Sequence, residues 1–137
     1  DMGDFVGGML KYLRRNPVEY VTISGGFAKL VKLAQGHMDL HSSRSEVDFT
    51  KLAETVAALG GDDKLISEII KANTAKQVLE LCASKNVDIE GTIARQAGET
   101  ARATIDGACA VEVVIIDRNG TIIARAGHGD FNAFKPA

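Results

Sequence analysis

Tyr20-Val21-Thr22-Ile23-Ser24-Gly25-Gly26-Phe27-Ala28-Lys29-Leu30-Val31 reads as a strand that turns directly into a helix. Tyr20 to Ile23 is a short β-branched and aromatic run, the composition of a strand. Gly25-Gly26 breaks it. From Phe27 the period changes: Phe27, Leu30, Val31 and Ala34 share one helical face, and Lys29, Lys32 and Gln35 the other. Gly36 is placed as the C′ stop of that helix. In an open α/β sheet, ligands bind beyond the carboxyl ends of the strands. Ser24-Gly25-Gly26 stands at such an end. Glycine admits close approach to the backbone, the helix start offers unpaired N–H groups, and Lys29 adds a cation, a combination suited to a carboxylate or phosphate. The loop is neither a G-x-G-x-x-G fingerprint nor a Walker loop, and a plain tight turn has the same form.

Outward from this unit, Phe5, Val6, Met9, Leu10 and Leu13 predict a first helix, with Asp4 placed to cap it and Asn16-Pro17 to end it. Gly7-Gly8 within it points to close packing against another backbone or a ligand. Downstream, Asp48 is set to cap a helix carrying Phe49, Leu52, Val56 and Leu59, closed by Gly60-Gly61. A short helix follows from Asp63, a capping-box pattern at Thr74 to Gln77 opens another, and Asp88 opens the last, where Ile89, Ile93, Ala97, Ala101 and Ile105 recur every four residues. Val111 to Ile116 and Thr121 to Ala124 flank Asp117-Arg118-Asn119-Gly120. Asn-Gly between two β-rich runs predicts a hairpin through a type I′ turn. The expectation is an α/β domain over 1–127, a mixed sheet with helices packed on it and an antiparallel hairpin at its end. Residues 128–137 are expected to be a poorly ordered tail. The abrupt helical start and the few strands for six or so helices suggest a fragment of a longer chain, with a preceding strand and an N-terminal domain elsewhere.

The 137 residues and 45% hydrophobic content suffice for one core. A formal net charge of -2 argues against a non-specific polyanion binder, so no nucleic-acid partner is expected. No apolar run reaches membrane-spanning length and the first residues have no signal-peptide pattern, so no membrane is expected either. Cys82 and Cys109 lack metal spacing and read as reduced packing residues of a cytoplasmic protein. His37, Asp39 and His41 alternate, but no fourth ligand is near in sequence, and no metal is assigned. His41-Ser42-Ser43-Arg44 has two readings, a polar ligand contact or a loop that satisfies its own backbone.

The compound pattern is more specific than its parts. Gly3-Asp4-Phe5-Val6-Gly7-Gly8-Met9-Leu10, then Val21 to Gly36, then Asp39-Leu40-His41-Ser42 closely resembles the C-terminal part of the cobalt-precorrin-5B C1-methyltransferases, the CbiD family. The resemblance rests on about the first third of the chain. It implies transfer of methyl from S-adenosyl-L-methionine to C1 of a cobalt-corrinoid precursor, giving cobalt-precorrin-6A in cobalamin biosynthesis, with this chain completing a longer enzyme. Ser24, Gly25, Gly26, Lys29, Lys32, His41, Ser42 and Arg44 then become substrate- or cofactor-binding candidates, and His41 the candidate for a catalytic role. Two positions depart from the family pattern: its loop histidine is Gly26 here, and its T-H-S threonine is Leu40. Two other readings stay open. One is a non-catalytic assembly or substrate-binding domain; the other is an unrelated α/β phosphate-binding enzyme.

Overall fold

The computed structural model describes residues 2–16, 18–37, 47–106 and 109–128, and for 2–7 and 128 the backbone alone. Six helices and three strands follow in the order α1 (Met2–Arg15), β1 (Tyr20–Gly25), α2 (Phe27–Ala34), α3 (Phe49–Ala58), α4 (Asp63–Ile70), α5 (Ala75–Ser84), α6 (Ile89–Thr104), β2 (Ala110–Ile116) and β3 (Ile122–His128). β2 is central: β1 pairs with it in parallel, from Tyr20 opposite Ala110 to Gly25 opposite Ile115, and β3 pairs with it antiparallel. The sheet is therefore mixed and ends in a hairpin, as the sequence predicts.

The parallel pair needs a long crossover, and helices α2 to α6 form it. Val111, Val113 and Ile115 of β2 point into the core with Ile23 of β1, while Ala124 and Ala126 of β3 pack against it. Helix α6 lies over β2 and β3 and also contacts α2. Its stripe of Ile89, Ile93, Ala97 and Ala101 is completely or almost completely buried, and Ile105 caps its end. Leu10 and Leu13 bring α1 into the same core. On the opposite sheet face, Glu112 ties the three strands: it accepts from Thr22 Oγ1 at 3.2 Å and pairs with Arg125 Nε at 3.2 Å.

Helix ends follow the expected chemistry with some shifts. Asp48 Oδ1 accepts from Lys51 N, Thr74 Oγ1 from Gln77 N and Asp88 Oδ1 from Gly91 N. Asp62 caps α4. A side chain at Gly91 would collide with the Asp88 carboxylate, so glycine is what lets that cap fold over the helix. Burial and the neighbouring Asp88 push Glu90 up to about 7, while hydrogen bonds from Glu90 and Gly91 hold Asp88 below its usual range. Cys82 and Cys109 are free and buried. No helix among the described residues is long and apolar enough to cross a membrane.

Three local expectations change. Helix α1 begins at Met2, which places Asp4 inside it rather than at its cap. Gly8 is exposed and a Cβ there would meet nothing within 4 Å, so among the described residues no backbone packs closely on it. The hairpin turn is not type I′: Gly120 takes a positive φ of 80° and Asn119 does not. Asp117 is the reason. Its Oδ1 accepts from both Asn119 N and Thr121 N, while Gly120 N donates to Asp117 O. The result is a turn closed by a left-handed glycine, with a register shift at Ile115/Ile116 that matches a bulge.

Candidate functional site

Gly25 ends β1 while still paired with Ile115, so the chain must reverse into α2 within one residue. A Cβ at Gly25 would lie 3.3 Å from Leu30 Cδ2 and 3.3 Å from Lys29 Cδ. Glycine therefore allows α2 to fold back tightly on the strand, with the Lys29 stem lying over it. Gly26 is the N-cap, extended at φ -74° and ψ 165°, and no side-chain hydrogen bond caps the helix there. Its carbonyl accepts from Leu30 N at 3.2 Å, but a Cβ at Gly26 would meet nothing within 4 Å. The first turn has no acidic residue. Space and a helix start without a side-chain cap thus coincide at the carboxyl end of the parallel pair.

A cavity of about 490 Å³ opens there. Gly26, Phe27 and Ala28 form one side, Lys76 and Leu79 of α5 a second. Ile116 and the turn residues Asp117 to Asn119, with Ile123, form the third. The walls are largely apolar, and Lys76 and Arg118 are exposed cations at its edge. Among the described residues the single carboxylate in the lining is Asp117, whose Oδ1 accepts two hydrogen bonds within the turn.

The sequence candidates distribute unevenly around this opening. Gly26 lines the cavity, and Gly25 and Lys29 stand directly behind it. Ser24 is exposed, on the alternate face of β1. Lys32 is half-buried, one turn further along α2. His41, Ser42 and Arg44 lie outside the described residues, as do Asp39 and His41 of the alternating trio. What is described is how the flanks of that segment are anchored. Gly36, at φ 91°, and His37 close α2 by donating to Leu33 O and Lys32 O at 2.9 Å each. Gln35 Nε2 then donates to Asp48 O at 3.0 Å, and Asp48 N donates to Gln35 Oε1 at 2.8 Å. Both flanks are held at the far end of α2, a helix about 12 Å long at 1.5 Å per residue. A second groove, of about 690 Å³, lies at that end, and Lys51, Glu54 and Glu99 give its lining charges of both signs.

Lys76, Leu79, Arg118 and Ile123 are the lining residues that sequence reading passes over. Lys76 carries one faint signal: a cation in the first turn of a helix opposes the helix dipole. Arg118 reads as an ordinary turn residue. Arg118 gains meaning only once β1 and β2 are known to run in parallel, which sets the loop after each strand along one edge, and Lys76 only once α5 is known to pack on α2.

Comparison with known proteins adds a family to this geometry. The model of the CbiD C-terminal domain matches residues 39–127, largely the part of the chain that carries little specific signal by inspection. Proteins named cobalt-precorrin-5B C(1)-methyltransferase from Brucella ovis, Brucella anthropi and Brucella suis are each 52% identical over 126 residues. Each match covers 91% of this chain and 34% of the relative, so the chain spans about a third of the length of the curated relatives it matches. No solved structure matches.

Proposed function

This chain belongs to the CbiD family, and from that premise we propose that it is the C-terminal part of an enzyme methylating C1 of cobalt-precorrin-5B. The product is cobalt-precorrin-6A, in cobalamin biosynthesis, and S-adenosyl-L-methionine supplies the methyl group as an electrophile. The observation that carries the site reading is the open start of α2, set at the carboxyl end of the parallel strands and facing a cavity. The methyl acceptor is a cobalt corrinoid with several carboxylate arms. An N-terminal domain of the same enzyme is the chain's partner in this reading, in keeping with a match that covers 34% of the relatives. Two buried free cysteines accord with the reducing cytoplasm.

Methyl transfer from a sulfonium needs alignment and exclusion of water more than covalent help. This chain's residues would supply the alignment. The backbone N–H groups at the Gly25-Gly26 turn and the first turn of α2 hold a carboxylate. Lys29, Lys32 and Arg44 anchor further carboxylates, Ser24 and Ser42 add hydroxyl contacts, and His41 is a polar contact or proton acceptor. The helix start fits the carboxylate of the methyl donor as well as it fits an arm of the corrinoid.

The test uses the full-length enzyme with cobalt-precorrin-5B and methyl-labelled S-adenosylmethionine. Label at C1 of the product is expected, with lower rate or affinity in Lys29→Gln and His41→Ala. Absence of label overturns the activity. Label with both variants unchanged in KM and kcat overturns the residue roles alone.

A further inference from the structure

The cavity beside Gly26 distinguishes between the two ligands that such an enzyme must hold. Its walls are apolar at Phe27, Leu79, Ile116 and Ile123, and its rim carries Lys76 and Arg118. S-adenosylmethionine brings a sulfonium and an ammonium group against one carboxylate. An acidic side chain facing those cations would favour such a site. Among the described residues Asp117 is the only carboxylate in this lining, and two turn amides at 2.8 and 3.0 Å donate to its Oδ1. With two cations against one carboxylate, the described lining is net positive and disfavours a donor that is itself net cationic. The same lining suits an edge of a corrinoid: an apolar macrocycle rim against the walls and carboxylate arms reaching the two cations.

About 490 Å³ is the volume of a small-ligand pocket. A corrinoid with its arms is larger, so this cavity seats one edge and leaves the rest of the ring to the remainder of the enzyme.

Resting on the methyltransferase reading above, we infer that the cavity between the α2 start, α5 and the β2–β3 turn binds a carboxylate-bearing edge of the corrinoid. Lys76 and Arg118 are its carboxylate anchors, and the methyl donor binds elsewhere. Arg118 then explains the hairpin turn as a binding element as well as a connection. Lys76, set against the dipole of α5, trades helix stability for a ligand contact.

The experiment measures binding to the full-length enzyme of cobyrinic acid, its fully esterified methyl ester and S-adenosylmethionine. In the double variant Lys76→Gln/Arg118→Gln, cobyrinic acid is expected to bind more weakly by about tenfold or more, the scale of losing two solvent-exposed charge-assisted contacts. The ester and S-adenosylmethionine are expected to bind as before, and the charge-preserving pair Lys76→Arg/Arg118→Lys to recover most of the loss. Lys11→Gln/Arg14→Gln, in the basic cluster at the end of α1, serves as the control for general charge. Unchanged cobyrinic acid affinity in the first double variant overturns the inference. So does an equal loss in the α1 control, or a loss confined to S-adenosylmethionine. A wild-type enzyme that methylates cobalt-precorrin-5B but shows any of these results leaves the function standing and removes only this site. A wild-type enzyme that binds no corrinoid removes both.

Discussion

The two ends of α2 are built in opposite ways. At the C-terminal end every local feature closes on itself: Gly36 and His37 return hydrogen bonds to Leu33 and Lys32, and Gln35 clamps Asp48 through both its oxygen and its nitrogen. At the N-terminal end Gly26 supplies no side chain, the first turn has no acid, and a cavity lies beside it. Helices α3 to α6 start under Asp48, Asp62, Thr74 and Asp88. Satisfied backbone marks structure. A helix start that no side chain caps, placed where two parallel strands end, marks the place for a ligand's own acceptor.

The most damaging way to erase the contrast is to remove the strut between the two ends. Leu30 is 1% exposed, and Leu30→Ala is expected to destabilise the chain by about 2–5 kcal/mol, read by urea unfolding. It should degrade both ends together; an effect on ligand binding without loss of stability would contradict the packing account. Next comes Gln35→Ala, which removes two exposed hydrogen bonds to Asp48 and should destabilise by about 1 kcal/mol. If the closed end is structural, corrinoid affinity should hardly change.

The guarded start of α6 gives a pH version of the comparison. Glu90 titrates at about 7 in the folded chain, above its ordinary 4.5. Between those values the folded state keeps a proton that the unfolded chain has released, so this group's contribution falls as pH rises from 4.5 to 7. Asp88 acts in the opposite sense: its lowered value adds stability above 3.8 that is lost as pH falls further. Glu90→Gln should flatten the decline across the upper window, seen as a melting temperature that gains on wild type at pH 8 more than at pH 5. Equal shifts at both pH values would refute the assignment. The smallest stability effect is expected at the open end. Gly26→Asp has room for its side chain and supplies the missing cap, worth a few tenths of a kcal/mol. The same carboxylate should expel an anionic ligand, so stability rises while corrinoid binding falls.

Much of the fold was legible because local chemistry and tertiary context agree. The four-residue spacing from Ile89 to Ile105 is the buried stripe of α6, and Gly36 stops α2 with the left-handed geometry expected of it. The hairpin was visible, but its turn type was not, because the Asp117 carboxylate organises the backbone that Asn119-Gly120 alone would have set. Gly8 misled for a related reason: a helical glycine signals freedom from a side chain, and only the fold says whether anything uses that freedom. For the site, Gly25 and Gly26 could be read from one strand-to-helix junction. Lys76 and Arg118 are about 50 and 92 positions away from Gly26, and no local pattern links residues that meet only through the packing of α5 on α2 and the parallel pairing of β1 with β2.

The central claim is that the N-terminal end of α2 receives the ligand. Hydrogen exchange of the full-length enzyme, with and without cobyrinic acid, tests it most directly. Slower exchange on binding is predicted at the amides of Phe27, Ala28 and Lys29 and at Arg118 and Asn119, with the Gln35–Asp48 clamp unchanged. Unaltered exchange at Phe27 to Lys29 under saturating ligand, or protection confined to the clamp, would contradict it.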